Sequence, residues 1–413
     1  IRVGGGFLFE SGKQDVHGTV EFKHVNVFNR LWNFTAMARP GYAWITTLSD
    51  VVEDADEVTE DGADAITEDH SPTVELDLTL EIPRFPARGW RLANEFDLEY
   101  GLEEGYKFLS PEAGPFLSWQ VTEALTLGVG YRIRFFKYFD LKADDSGGTG
   151  ALDLDFTNPY ILSFLNQQIV WNTRDNALFP TEGEYIIADV AEAGGPFSGG
   201  FNYLYPNLDI RVFRRIRKLI FFRPNVTTAF RVGGGAMFPY ESKLNKKGAA
   251  EIPFAERLLL GGSNSVRGWI RNHLGPYVCD VENYKGSLNL KNDADARKCL
   301  REGTGGKGGD YNESQETKAI TPVGGTTYIN TSFELRKYFL AGYGVVLFND
   351  WGMVWNTFKD VNITQLIPSL GLGFRYKSPI GAIRLDGAYR FNTAPMFDKE
   401  PPFQVHFGLS EAF

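Results

Sequence analysis

Few residues in this chain have the types and spacing that chemistry needs. The five histidines (17, 24, 70, 273 and 406) are scattered and suggest no metal site. There is no H-E-x-x-H, no P-loop and no G-x-S-x-G, so metal-assisted hydrolysis, phosphate cradling and a serine nucleophile all lack their residues. "VGGGA" near Val232 and "GTGGKGGD" near Gly303 are glycine-rich, but neither lies between a strand and a helix. What remains is Val266-Arg267-Gly268-Trp269, within "LLLGGSNSVRGWIRNHLGPY" (Leu258 to Tyr277). Glycine and proline mark a loop there, and an arginine in such a loop ordinarily points at water. Held away from water, its guanidinium would require a carboxylate partner. Cys279 and Cys299 lie in the same region, twenty positions apart. They imply an oxidising compartment and a loop-closing disulfide, with two free thiols as the alternative.

The elements that must position these residues repeat with a period of two. In "VELDLTLEI", Val74, Leu76, Leu78, Leu80 and Ile82 alternate with Glu75, Asp77, Thr79 and Glu81. Leu125, Leu127, Val129, Tyr131, Ile133 and Phe135 share one face, opposite Thr126, Arg132 and Arg134. The pattern predicts sixteen strands, near 2–10, 16–26, 31–46, 72–84, 89–101, 106–121, 123–140, 158–173, 183–192, 201–216, 218–238, 325–338, 343–356, 366–377, 379–391 and 402–413. Connections after even-numbered strands are mostly short ("PRFPAR", "RIRK", "KSPIG"). Those after odd-numbered strands include an acidic loop at about 48–71 and a long segment at about 239–324. An even strand count with short turns on one side and long loops on the other is the signature of an outer-membrane barrel. Closure satisfies every edge amide in hydrocarbon, and aromatic strand ends supply an interfacial girdle. The expected fold is therefore all-β: a sixteen-stranded antiparallel transmembrane β-barrel over residues 1–413, in the bacterial outer membrane.

Composition agrees. No run of 18 or more apolar residues exists, and mean hydropathy is −0.23, so spanning helices are excluded. A net charge of −10 argues against a nucleic-acid partner. That charge is concentrated in "DVVEDADEVTEDGADAITED" (Asp50 to Asp69), which carries ten acidic residues and no Lys or Arg. The stretch reads as a solvated loop, with divalent-cation binding at a lipopolysaccharide surface as the sharper alternative.

The loop motif and its flanks, "GGSNSVRGW…LGP", resemble the BamA/TamA superfamily of outer-membrane protein assembly barrels, which also includes two-partner-secretion transporters. That family carries a Val/Ile-Arg-Gly-Phe/Tyr tetrapeptide in its sixth loop, and Trp269 departs from it while keeping an aromatic ring. "TSFELRKYF" and "LFNDWGMVW" resemble the family's strands 12 and 13, "WNTRDNALFPTEGEY" its turn between strands 8 and 9, and "SPIGAIRLDGAY" its strand-15 hairpin. The resemblance implies that the sixth loop folds into the lumen, where Arg267 pairs with Glu334, Phe348 and Asp350. Parity agrees: Glu334 shares a face with Asn330, Ser332 and Arg336, and Phe348 with Asp350. The resemblance also makes the junction of first and last strands a lateral gate. Its seam would be formed by Gly4, Gly5 and Gly6 against Phe407, Gly408 and the terminal aromatic Phe413, with Gly6 near Gly408.

The function this implies is insertion of β-barrel clients into the outer membrane, with no cofactor, no metal and no enzymatic step. The implied partners are outer-membrane lipids or lipopolysaccharide, unfolded outer-membrane clients and accessory assembly subunits. The family's periplasmic POTRA domains are expected to be absent from this chain, which begins on its first strand. A secretion pore of the same superfamily is the nearest alternative. A barrel protease or acyltransferase would need a histidine–carboxylate cluster at the rim, and a scaffold role would show as stable co-purifying partners.

Overall fold

The sixteen expected strands form one antiparallel wall. The computed structural model describes residues 1–10, 12–45, 69–103, 106–139, 157–217, 225–245, 248–281, 284–288, 320–339, 342–378, 381–391, 402–409 and 411–413. The wall strands are β1 (Arg2–Glu10), β2 (Lys13–Val27), β3 (Trp32–Ile45), β4 (Asp69–Pro83), β5 (Trp90–Glu103), β6 (Tyr106–Gln120), β7 (Leu125–Phe139) and β8 (Tyr160–Asn172). They continue as β9 (Gly183–Ala193), β10 (Tyr203–Ile216), β11 (Val226–Ala236), β12 (Thr327–Tyr338), β13 (Tyr343–Trp355), β14 (Ile367–Ser378), β15 (Gly381–Arg390) and β16 (Phe403–Leu409). Each pairs with its chain neighbours, and β1 meets β16 to close the barrel. Among the described residues the only helices are 3₁₀ turns of three residues each.

The wall has the polarity of a membrane barrel. Along β14, Leu370, Leu372, Phe374 and Tyr376 are exposed on the outside, while Ser369 and Arg375 are buried inside. On β12, Phe333 points out while Ser332, Glu334 and Arg336 are buried. In water such an apolar exterior would be an aggregating surface; in a bilayer it is the solvated face. The period-two alternation thus sorts apolar residues to lipid and charges to the lumen.

Two boundaries differ from the sequence reading by more than three residues. The eleventh strand begins at Val226 rather than 218, with 218–224 outside the described residues, and the tenth ends at Ile216 as expected. The last strand ends at Leu409 rather than at 413. Alternation continues past Leu409 in the sequence, so periodicity alone could not place the end of the last strand. The turn after β8 is locked by one side chain. Asp175 accepts from the backbone N–H groups of Thr181 (2.8 Å) and Glu182 (3.1 Å) and from the Thr181 hydroxyl (2.5 Å). Burial opposes ionisation of Asp175, but these bonds outweigh it and hold the carboxyl below its usual range.

The segment between β11 and β12 has local order that its composition did not reveal. Three short strands, Tyr277–Val281, Tyr284–Leu288 and Ile320–Pro322, form a separate sheet. The stem of this loop packs Ile252 into an aromatic cluster with Phe108, Phe136, Tyr138, Tyr160, Phe201 and Tyr203. Its tip buries Leu260, Val266, Trp269 and Leu274 against Met353, Val354, Trp355 and Ile367. Cys279 lies on the first short strand, Cys299 lies outside the described residues, and so does their proposed disulfide. The acidic stretch also lies outside them, except for the backbone of Asp69 at the start of β4.

Candidate functional site

The loop tip carries Arg267 into the lumen, against β12 and β13. In the register of these strands Ser332 stands opposite Asp350, and Glu334 opposite Phe348. Alternate residues of two adjacent strands therefore place a hydroxyl, two carboxylates and a ring on one inner patch. Arg267 fills that patch. Its Nε donates to Asp350 Oδ2 (2.8 Å) and its Nη2 to Oδ1 (2.7 Å), while its backbone N–H also reaches Oδ2 (3.2 Å). Nη1 donates to Glu334 Oε1 at 2.6 Å and lies 3.5 Å from Asp386 Oδ2. The Ser332 hydroxyl donates to Asp350 at 2.5 Å, and Phe348 lies under the guanidinium, 3.4 Å from ring centroid to Cζ. Only the planar fork of arginine can serve both carboxylates and the ring together.

Arg267 is 1% exposed, so its charge depends wholly on these partners. Burial alone would favour the neutral form; Asp350 and Glu334 outweigh it and raise the guanidinium pKa well above its usual value. The network extends outward. Arg336 donates to Glu334 (2.6 Å), and Arg375 to Asp386 (2.5 Å) and Glu411 (3.1 Å). Arg384 lies 3.8 Å from Asp386. The four guanidiniums of Arg267, Arg336, Arg375 and Arg384 match the four carboxylates of Glu334, Asp350, Asp386 and Glu411. Charge balance makes the buried cluster tolerable, and it makes the loss of any one member costly.

The other motif residues fit this arrangement. Val266 and Trp269 lie in the apolar cluster beside the anchor, and the Arg390 guanidinium sits 4.5 Å over the Trp269 ring. A Cβ on Gly268 would stand 2.5 Å from Ser369 Cβ, so glycine lets the tip approach β14. Gly268→Ala is expected to push the tip off the wall at a cost of about 1–3 kcal/mol. The check is a lower thermal midpoint with faster proteolysis of the loop; an unchanged midpoint would contradict this packing.

The seam between the end strands is thin. Nine residue pairs join β1 to β2 and seven join β15 to β16, but one pair, Phe9 opposite Phe407, joins β1 to β16. The Phe7 and Phe407 rings stack across it at 4.9 Å. From Arg2 to Leu8, β1 has β2 as its only ladder partner among the described residues. Gly6 and Gly408 are not opposite one another, because Phe9 rather than Gly6 meets this part of β16. A Cβ on Gly6 would strike the His17 ring at 2.6 Å, whereas Gly4 has nothing within 4 Å and Gly5 only His17 O at 3.5 Å. A Cβ at Gly6 would require the His17 ring to turn aside, while Gly4 and Gly5 have no steric reason.

Phe413 is not at the seam. It is buried in the lumen with Phe213 and Ala229, and Arg336 lies 5.0 Å over its ring. Strand parity would have aimed Glu411 at lipid, an expensive place for a carboxylate. The chain instead leaves the wall after Leu409, and Glu411 pairs with Arg375 inside.

The Omp85 superfamily domain model matches residues 71–413. The chain belongs to the Omp85 superfamily. The outer membrane protein assembly factor BamA of Nitratidesulfovibrio vulgaris is 22% identical over 274 residues, covering 66% of this chain and 27% of that protein. The chain thus spans about a quarter of that relative's length. Among solved structures, BamA from Haemophilus ducreyi lacking POTRA domains 1-3 superposes with a TM-score of 0.59 at 14% identity, over 97% of this chain and 70% of that one. CdiB from Acinetobacter baumannii gives 0.53 at 11% identity, over 100% and 60%. These two show the fold. The resemblance read from the loop motif and strand signatures is borne out, and the protein is an integral barrel of the outer membrane.

In this Omp85 barrel the sequence reading missed Asp386, Ser332 and His406, which also touch Arg267, and Glu10, which touches the same loop tip. Parity placed Ser332 on the inner face. Which luminal residues converge depends on barrel register, and no local pattern reports that.

Proposed function

We propose that this barrel assembles β-barrel clients into the outer membrane by parting β1 from β16. The single observation that carries this reading is the seam, one residue pair wide between strands otherwise joined by seven or more pairs. A β1 edge with free N–H and C=O groups can add a client strand by β-augmentation. The client's backbone is then hydrogen-bonded before it enters hydrocarbon, where each unsatisfied group costs several kcal/mol. The step needs no cofactor and breaks no covalent bond. Lipids, unfolded outer-membrane proteins and periplasmic capture domains or accessory subunits are the partners of this reading. Superfamily membership and the similarity to BamA support it.

Reconstitution tests it. Vesicles holding the protein are expected to raise the yield of folded client barrel over empty vesicles. Large stable conductances without client insertion would overturn it in favour of a secretion pore. The glycines make a second expectation. Alanine at Gly4 and Gly5 fits the available space and should strengthen β1 by about 0.5–1 kcal/mol each. Insertion should slow severalfold while the fold persists; an unchanged rate would remove these glycines from the gate.

A further inference from the structure

The loop tip grips both sides of the seam. Toward the closing strand, Ser263 O accepts from Arg384 Nη1 (2.9 Å), Asn264 Oδ1 from Arg384 Nη2 (2.7 Å), and Arg267 O lies 2.8 Å from His406 Nε2. Toward the opening strand, the backbone N–H of Ser263 donates to Glu10 Oε1, and Arg271 Nε lies 3.7 Å from Glu10 Oε2. Ser263 is thus held by its N–H to β1 and by its C=O to β15. Two glycines with positive φ shape the β1 side. A Cβ on Gly262 (φ 88°) would stand 2.4 Å from Glu10 Oε1, and one on Gly12 (φ 98°) 2.8 Å from Ile270 Cγ2. Only glycine gives that approach at such φ values without strain.

We propose that the loop tip is a clasp across the seam, with Ser263 bridging β1 and β15 and Glu10 as its releasable end. The two ends are unequal. On the β12–β16 side the tip is fixed by the ion pairs of Arg267 with Asp350 and Glu334 as well as by Arg384 and His406. On β1 itself it is held through one carboxylate, which is 7% exposed and has little water to replace the lost bonds. Arg271 keeps a bidentate partner in Glu103 of β5 (2.8 and 2.9 Å), so release of Glu10 strands no guanidinium. When the seam parts, the tip stays with β12–β16 and β1 leaves. The clasp sets how often the β1 edge is free, and this rests on the reading that the seam opens.

The test uses the full chain in lipid vesicles, with nitroxide labels on outward-facing Val20 of β2 and Val405 of β16, away from the clasp. Glu10→Ala should raise the population of widened distances about tenfold, the loss of one charge-assisted hydrogen bond. Glu10→Gln, near-isosteric, keeps an acceptor for the Ser263 N–H and loses the charge facing Arg271; it should give a smaller rise and serves if the alanine variant does not fold. Loop proteolysis should stay at the wild-type rate, because the Arg267 anchor is intact. Distance distributions equal to wild type in the folded variants would overturn the clasp. A disulfide-locked seam that still inserts clients would overturn the functional reading instead, a separate result from the distances.

Discussion

Arg267→Ala is expected to destabilise the loop and its supporting wall by about 3–5 kcal/mol, the usual cost of removing one partner from a buried ion pair. The reason is arithmetic of charge. Without Arg267, Asp350 keeps only the Ser332 hydroxyl among the described residues, and the balanced luminal cluster gains one uncompensated negative charge. Val266 and Trp269, which pack only while the tip is docked, lose their apolar bed with it. Thermal unfolding in detergent should show an early loop transition, with accelerated cleavage between 245 and 320, while the barrel persists. Arg267→Lys should recover only part of the loss, because an ammonium cannot donate as a fork to Asp350 while reaching Glu334. Adding Asp350→Asn to the alanine variant should also recover part, by deleting the surplus charge, and the double-mutant cycle isolates that pairing. Wild-type unfolding and loop protection in Arg267→Ala would show that the anchor carries no stability.

Much of the fold was legible because period-two alternation is a local signal. It gave the strand count, the lumen-facing side of Glu334 and Asp350, and the asymmetry of short turns and long loops. The rest depends on closure. Alternation tells which face a residue takes and nothing about the stagger between strands, so the meeting of Phe9 with Phe407 had no signature. The bond from Ser263 to Glu10 joins residues 253 positions apart, and neither the loop motif nor strand parity pointed to it. Phe413 was misplaced for a related reason. "FQVHFGLSEAF" continues to alternate beyond the end of the wall, and the one contrary sign, Glu411 at a lipid-facing position, outweighs the aromatic that follows it. The anchor pairing of Arg267 with Asp350 and Glu334 came from the family resemblance together with parity, and parity alone would have offered every luminal carboxylate.

Separation of β1 from β16 to admit a client strand can be tested with a covalent lock across the seam. Phe9 and Phe407 are the registered pair, and directly opposed residues in an antiparallel ladder lie within the span that a disulfide bridges. A Phe9→Cys/Phe407→Cys protein, oxidised in vesicles, is predicted to lose client insertion to the level of empty vesicles and to regain it on reduction, with each single cysteine variant active throughout. Client insertion by the oxidised protein at the rate of its reduced form would show that insertion does not pass through an opened β1–β16 seam.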